Sequence, residues 1–260
     1  MQINFYKYHG TGNDFIMIDN RDKSFPTSCS IVAHLCHRRF GIGADGLILL
    51  ENSTEYDFKM RYFNSDGNEG TMCGNGGRCI VAFAKQLGLV EKETRFIAMD
   101  GEHTATINSE NIVKLKMQNV SMIENNNDHF FLNTGSPHVV KFIDNHKNFD
   151  TYKEGSAIRN SDKYKKEGTN VNFVSIKDSH TITASTFERG VEDETYSCGT
   201  GCIASAIVTA LKLDIPNPIE IAIKTKGGSL KVYTQNTNGT FDNTFLEGPT
   251  ESSFSGQINI

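Results

Sequence analysis

Apolar and polar positions alternate through INFYKY and NDFIMIDN, with the glycine-rich HGTG between them. The pattern predicts a strand, a turn and a second strand. CSIVAHLCHRRFG has helical spacing and is expected to form a helix ending at Gly41. DGLILLE and YDFKMRYFN have strand character, and RCIVAFAKQLGLV predicts a helix with one apolar face and Gly88 as its C-terminal stop. TRFIAMDGEHTATI and NIVKLKMQNV predict strands joined by turns, and the asparagine-rich IENNNDHFF predicts a loop tip at a boundary. A second set follows. FFLNTGSPHVVKFI, NVNFVSI and HTITASTFERG are expected as strands, GCIASAIVTALKL as a helix and PIEIAIKTKGGSLKVYTQ as a hairpin. Gly248 and Pro249 then interrupt the pattern before a short C-terminal segment.

The two sets match. With Cys73 laid on Cys198, an offset of 125 residues, residues 58–88 run over 183–213 without a gap. Asn64 falls on Arg189, Glu69 on Glu194, Gly74 on Gly199 and Gly76 on Gly201. A strand, an acidic loop, CGxG and a helix in the same order mark an internal duplication. The expected fold is α+β, with two similar lobes, a cleft between them and one cysteine presented by each.

Composition narrows the setting. The 260 residues allow one large domain or two medium ones. A net charge of −5 and the lack of a basic stripe argue against a nucleic-acid partner. The densest basic stretch, Lys163 to Lys166, is a short solvated loop segment. No apolar run approaches the roughly 18 residues of a membrane span, and MQINFYKYHGTGNDF lacks the apolar core of a signal peptide. The expected compartment is the cytoplasm, where the six cysteines do not read as a disulfide framework.

GIGADG at 41–46 fits the dinucleotide-binding pattern, but that pattern needs a strand before it and a helix after it. Here a helix precedes and LILL follows, so a helix-to-strand turn is expected. Zinc sites favour close cysteine pairs or cysteine with histidine. The spacings here are C-x5-C and C-x3-C, with Cys79 and Cys202 inside apolar helical runs, so no metal is expected. Cys29 and Cys36, which flank a helical stretch, are taken the same way. Cys73 and Cys198 differ, because each stands just before a glycine-rich helix start. A helix N-terminus lowers a thiol pKa from about 8.5 toward neutral and accepts an anion such as a carboxylate. Two facing thiols of this kind suit inversion of a carbon centre, one removing a proton and the other delivering one. Charge on the substrate carboxylate would be stabilised by the two helix N-termini, with no cofactor needed in principle.

HGTGNDF, GIGADG, NSDGNEGTMCGNGGRC, NVNF and FERGVEDETYSCGTG together resemble the diaminopimelate epimerase family, from Met1 to about Gly248. The resemblance implies cofactor-independent interconversion of LL- and meso-2,6-diaminopimelate, for lysine and peptidoglycan precursors. It implies two lobes, each a curved, barrel-like mixed sheet around a central helix, with the C-terminal segment returning to the first lobe. The expected division is 1–118 plus 249–260 against 119–248. By the same resemblance Cys73 is the proton donor and Cys198 the acceptor. Gly74 and Asn75, with Gly199 and Thr200, hold the reacting carboxylate. Asn13 and Glu188 lie near the reacting amine. Asn64, Asn170 and Arg189 hold the distal end, and His138 and Glu188 tune the thiols. A homodimer is implied.

Two positions depart from the family pattern: Ser136 stands where members often carry asparagine, and Gly46 where some carry glutamine. A related proline or hydroxyproline racemase, a dithiol redox protein and a non-catalytic amino-acid binder stay open as alternatives. Proline racemases typically carry a histidine where this chain has Asn75.

Overall fold

A computed structural model describes residues 1–260. In chain order the elements are β1 (Gln2–Gly10), β2 (Asn13–Asp19), α1 (Cys29–Cys36), β3 (Gly46–Glu51), β4 (Phe58–Asn64), β5 (Glu69–Gly70), α2 (Gly74–Gln86), β6 (Glu93–Ala98), β7 (Gly101–Ile107) and β8 (Ile112–Lys116). They continue with β9 (Ile123–Asn125), β10 (Phe130–Asn133), β11 (Pro137–Phe142), α3 (Thr151–Arg159), β12 (Asn170–Asp178), β13 (Thr181–Glu188), β14 (Asp193–Thr195), α4 (Gly199–Leu213), β15 (Ile219–Thr225), β16 (Gly228–Thr237), β17 (Thr240–Pro249) and β18 (Glu251–Asn259). Two compact units result, Met1–Leu115 with Gly248–Ile260, and Lys116–Glu247. No helix is long and apolar enough to cross a membrane.

Strand pairing repeats from one unit to the other. In the first, β1–β2 is antiparallel, β2–β3 parallel, β3–β4 antiparallel, β4–β6 parallel and β6–β7–β8 antiparallel, with the short β5 against β4. In the second, β10 to β17 repeat that series pair for pair, with β14 in the place of β5. The duplication expected from the sequence is therefore present as topology.

Each sheet is mixed and has a helix at its centre. α2 touches β1, β2, β3 and β7, strands from both ends of its sheet order, so the sheet curves around it. α4 is enclosed in the same way by β10, β11, β12, β13, β15 and β16. A helix so enclosed must be apolar on every side, and α4 buries an unbroken run from Gly201 to Ala210. Alternation along β3 serves two cores: Leu47 and Leu49 join the cluster that holds Val32 and Leu35 of α1, while Ile48 contacts α2 at Gly76. Both faces being covered, all six residues of β3 are buried.

Four local expectations need correction. The helix from Cys29 ends at Cys36, short of Gly41, because the chain turns back and caps it. Ile42 and Gly43 donate to Leu35 O at 2.9 and 3.0 Å, and Ala44 donates to Cys36 O at 3.0 Å. The stretch around Gly248 and Pro249 does not break into a short tail. β17 runs to Pro249, and β18 pairs with β1 from Gln2↔Asn259 to His9↔Glu251. IENNNDHFF forms the tip of the β9–β10 hairpin inside the second unit. The ungapped overlay is also off by one residue in the strands. Leu47↔Phe63 corresponds to Val171↔Phe187, but Phe63 pairs with Glu69 where Phe187 pairs with Glu194. The second turn is one residue longer, so Glu188, not Arg189, takes the strand position of Asn64.

α3 had no counterpart among the expected elements. Asp150 caps it through a 2.9 Å bond from Lys153 N, and it buries only Thr151 and Gly155. Gly155 lies against β13, where a Cβ would sit 2.3 Å from Phe187 Cβ. Replacing a helical glycine by alanine normally adds about 0.5–1 kcal/mol, but forced overpacking costs about 1–3 kcal/mol. Gly155→Ala is therefore expected to lower the urea midpoint, and a midpoint equal to or above that of the unmodified protein would contradict the packing described.

Candidate active site

The four helices begin in two ways. Ser28 and Asp150 cap α1 and α3 with side-chain oxygens, the usual partner for first-turn N–H groups. α2 and α4 begin instead at Cys73 and Cys198, which put a thiol where the capping oxygen would stand. These N-termini keep the positive end of the helix dipole beside a thiol.

In the first unit Cys73 Sγ donates to Asn13 Oδ1 at 3.7 Å, and Asn75 Nδ2 donates to the same oxygen at 3.2 Å. The amide of Asn13 is oriented from its other end, where Nδ2 donates to Asp45 Oδ2 at 2.7 Å. The amide of Asn75 is oriented by Arg78, whose Nη2 donates to Asn75 Oδ1 at 2.6 Å. Arg78 is fully buried and also donates to Pro249 O at 3.0 Å. GIGADG is the helix-to-strand turn expected of it: it supplies Asp45, and its Gly43 carbonyl accepts from Lys7 Nζ at 2.6 Å. Behind Asn13, Lys7 and Arg38 both pair with Asp14. Burial pushes the Asp14 carboxyl up, but Arg38 and Lys7 outweigh it and hold it well below the usual carboxylate range.

In the second unit Cys198 Sγ lies 3.5 Å from Thr200 Oγ1, which lies 2.9 Å from His138 Nε2. His138 Nδ1 lies 3.0 Å from Asn172 Nδ2. Burial, then the charge of Arg189, holds the His138 imidazole down to about 3, so the ring is neutral. The expected lowering of the thiol pKa does not hold for Cys198. Burial pushes it well above the ordinary value and Glu188 adds to this, while Thr200 and the Gly201 N–H pull the other way. The helix terminus acts in the expected direction, but desolvation of a thiolate is the larger effect.

Asn170, Ser136 and Arg189 come together: Asn170 Nδ2 donates to Ser136 Oγ at 3.0 Å, and Arg189 N donates to Asn170 Oδ1 at 2.8 Å. The exposed Arg189 guanidinium donates to Glu167 O at 3.0 Å. Asn64 ends β4 and accepts from Tyr62 Oη at 2.9 Å. Gly46 has no room for a side chain, since a Cβ there would lie 2.6 Å from both Phe63 O and the Tyr62 ring. Glu188 ends β13. Of the other cysteines, Cys36, Cys79 and Cys202 are buried, and burial raises Cys36 and Cys79 to about 12. Cys29 is exposed at the first position of α1, so it is not a buried helix residue.

Sequence inspection missed Asp45, Arg78 and Asn172. Asn172 left a usable trace: in NVNFVSI it stands two positions after Asn170, on the face that continues to the buried Val174.

His138 gives a pH-dependent test. An unfolded imidazole takes up a proton below about pH 6.5, whereas the folded one stays neutral to about 3. Its contribution to stability is full above about pH 6.5 and declines as the pH falls through that window. Urea midpoints are expected to fall more steeply in the unmodified protein than in His138→Gln, and parallel slopes would refute this.

The family model for diaminopimelate epimerase matches residues 5–123 and 130–251. The diaminopimelate epimerase of Flavobacterium psychrophilum is 54% identical over 258 residues, covering 98% of this chain and 100% of the relative. That of Chlorobaculum tepidum is 41% identical, covering 96% and 99%. Among solved structures, a PhzF-family phenazine biosynthesis protein of Bacillus anthracis is similar with a TM-score of 0.78 at 15% identity, covering 100% of both chains. A hydroxyproline epimerase from Agrobacterium vitis is similar with a TM-score of 0.69 at 12% identity, covering 99% of this chain and 92% of that one. At such identities these structures speak for the fold alone. Matched along nearly its whole length by the family model and by relatives of this identity, the chain belongs to the diaminopimelate epimerase family.

Proposed function

We infer that this protein interconverts LL- and meso-2,6-diaminopimelate by a two-base mechanism, supplying lysine and peptidoglycan precursors in the cytoplasm as a homodimer. The observation that carries the inference is the repeated one: each unit begins its central, sheet-enclosed helix at a cysteine, Cys73 in the first and Cys198 in the second.

In the direction from LL to meso, the Cys198 thiolate takes the proton from Cα. The C–H bond breaks, an S–H bond forms and the electron pair spreads onto the substrate carboxylate. The Cys73 thiol then delivers its proton to the opposite face of Cα and is left as thiolate. Reversal exchanges the roles. Asn13 Oδ1, which accepts from the Cys73 S–H, matches the assignment of Cys73 as the acid. The raised proton affinity of buried Cys198 makes a thiolate formed there a strong base but keeps that thiolate scarce, and the bonds from Thr200 and the Gly201 N–H partly offset this.

We assign the reacting carboxylate to the helix starts at Gly74, Asn75, Gly199 and Thr200, where charge developing in the transition state meets N–H groups and dipole ends. Asn13 and Glu188 are assigned to the reacting amine. Asn64, Asn170 and Arg189 are assigned to the distal amino-acid end, with Ser136 holding the Asn170 amide. A guanidinium can clamp a carboxylate with two bonds, which suits Arg189. His138 acts on Cys198 through Thr200.

Epimerisation of LL-diaminopimelate in deuterated water tests this. Product is expected to carry deuterium at the inverted carbon, and Cys73→Ala and Cys198→Ala are each expected to lose epimerisation by roughly 10²–10⁴-fold or more. Product without deuterium, or turnover surviving Cys73→Ala, would refute the mechanism.

A further inference from the structure

The two units place different residues behind their cysteines. Phe15↔Gly46 in β2–β3 corresponds to His138↔Asn170 in β11–β12, and Met17↔Ile48 corresponds to Val140↔Asn172. His138 therefore occupies the position of Phe15, and Asn172 that of Ile48. A Cβ on Gly76 of α2 would meet Ile48 Cδ1 at 3.0 Å and Phe15 Cζ at 3.5 Å. A Cβ on Gly201, the matching glycine of α4, would meet Asn172 Oδ1 at 2.3 Å. One frame holds an apolar pair behind its thiol and the other a polar pair.

Asn172 is completely buried, and its amide is held in one orientation. Nδ2 donates to Val139 O at 3.0 Å, and a carbonyl oxygen can only accept. On the other side Thr186 Oγ1 donates to Asn172 Oδ1 at 2.9 Å. The nitrogen of the amide therefore faces His138, and its second N–H points to Nδ1 at 3.0 Å. A neutral imidazole has one donor and one acceptor nitrogen. With Nδ1 accepting, Nε2 carries the proton and donates to Thr200 Oγ1 at 2.9 Å. The Thr200 oxygen receives that proton on a lone pair, so its own hydrogen is directed outward, where Cys198 Sγ lies at 3.5 Å.

We propose that Asn172 is a positioning residue that fixes the Nε2–H form of His138 and thereby directs the Thr200 hydroxyl proton at Cys198 whenever its sulfur is a thiolate. With the proton on Nδ1 instead, Nε2 would capture the Thr200 hydrogen and leave oxygen lone pairs facing the sulfur. The device matters because the other groups around this thiol oppose its ionisation: burial, Glu188 and Cys202 all do so, and the donors on its side are Thr200 and the Gly201 N–H. Arg189 acts on His138 in the same sense as burial, keeping the ring neutral. The proposal rests on the proposed function only in making Cys198 a reacting thiol.

Its test needs no substrate. In the full-length protein with ¹⁵N-labelled histidine, NMR is expected to show His138 protonated on Nε2 and bare on Nδ1 from about pH 5 to 9, across the range where a free imidazole titrates. Asn172→Asp, of nearly the same shape, is expected to place a proton on Nδ1. Thr200→Val is expected to leave the His138 tautomer unchanged while slowing alkylation of Cys198 by iodoacetamide, followed by peptide mapping, by about tenfold or more near pH 8, as befits loss of one bond to a charged sulfur. A proton on Nδ1 in the unmodified protein, a bare Nδ1 in Asn172→Asp, or unchanged Cys198 alkylation in Thr200→Val would overturn the proposal. These outcomes are separate from whether diaminopimelate is epimerised, because none of them depends on turnover.

Discussion

A helix enclosed by a sheet can meet solvent or a ligand only at its ends, and the rest of this structure follows from that constraint. α2 and α4 are buried along nearly their whole first three turns. Their starts must also approach the central strands closely, which is why a Cβ would clash with Asn172 at Gly201 and would crowd Ile48 at Gly76. Any chemistry such a helix supports is thereby confined to its ends. Replacing the usual capping oxygen with cysteine leaves a thiol at the one place where the helix dipole is not covered. Packing and reactivity are thus specified by the same few residues of each CGxG stretch.

That coupling explains what could be seen in the sequence. The glycine-rich starts at Gly74 and Gly199 were visible because glycine there answers a steric need that both units share. Long apolar strands such as GLILLE were visible for the same reason. What stayed hidden depended on contacts distant in sequence. The end of α1 at Cys36 is set by loop N–H groups from Ile42 to Ala44 returning to its last carbonyls. α3 buries two residues and has no apolar stripe to reveal it. β18 is mostly exposed, so its pattern is weak until β1 is seen beside it. The dipole at Cys198 could be inferred from order along the chain, whereas the larger effect, burial, could not.

Duplication gave the two thiols equal backbone settings, and the side chains behind them then diverged. Asn13, oriented by Asp45, presents an acceptor to Cys73. Thr200, next to His138, stands beside Cys198. A reaction that passes a proton in at one face and out at the other gains from such inequality, since one thiol must rest as acid while its counterpart works as base. The one-residue lengthening of the β13–β14 turn belongs to the same divergence, because it sets Glu188 at the strand position that Asn64 holds in the first unit.

The pairing of β18 with β1 bears on how the chain is assembled during synthesis. The second unit is continuous from Lys116 to Glu247, so it can close as soon as its own residues have left the ribosome. The first unit is interrupted, and one edge of β1 has no strand beside it until Glu251 to Asn259 arrive. Until then β1 presents a row of open backbone groups, the kind of edge that invites pairing with another chain. The later-encoded half is thus free to mature ahead of the earlier one, and the strand made first among these elements is among the last to be covered.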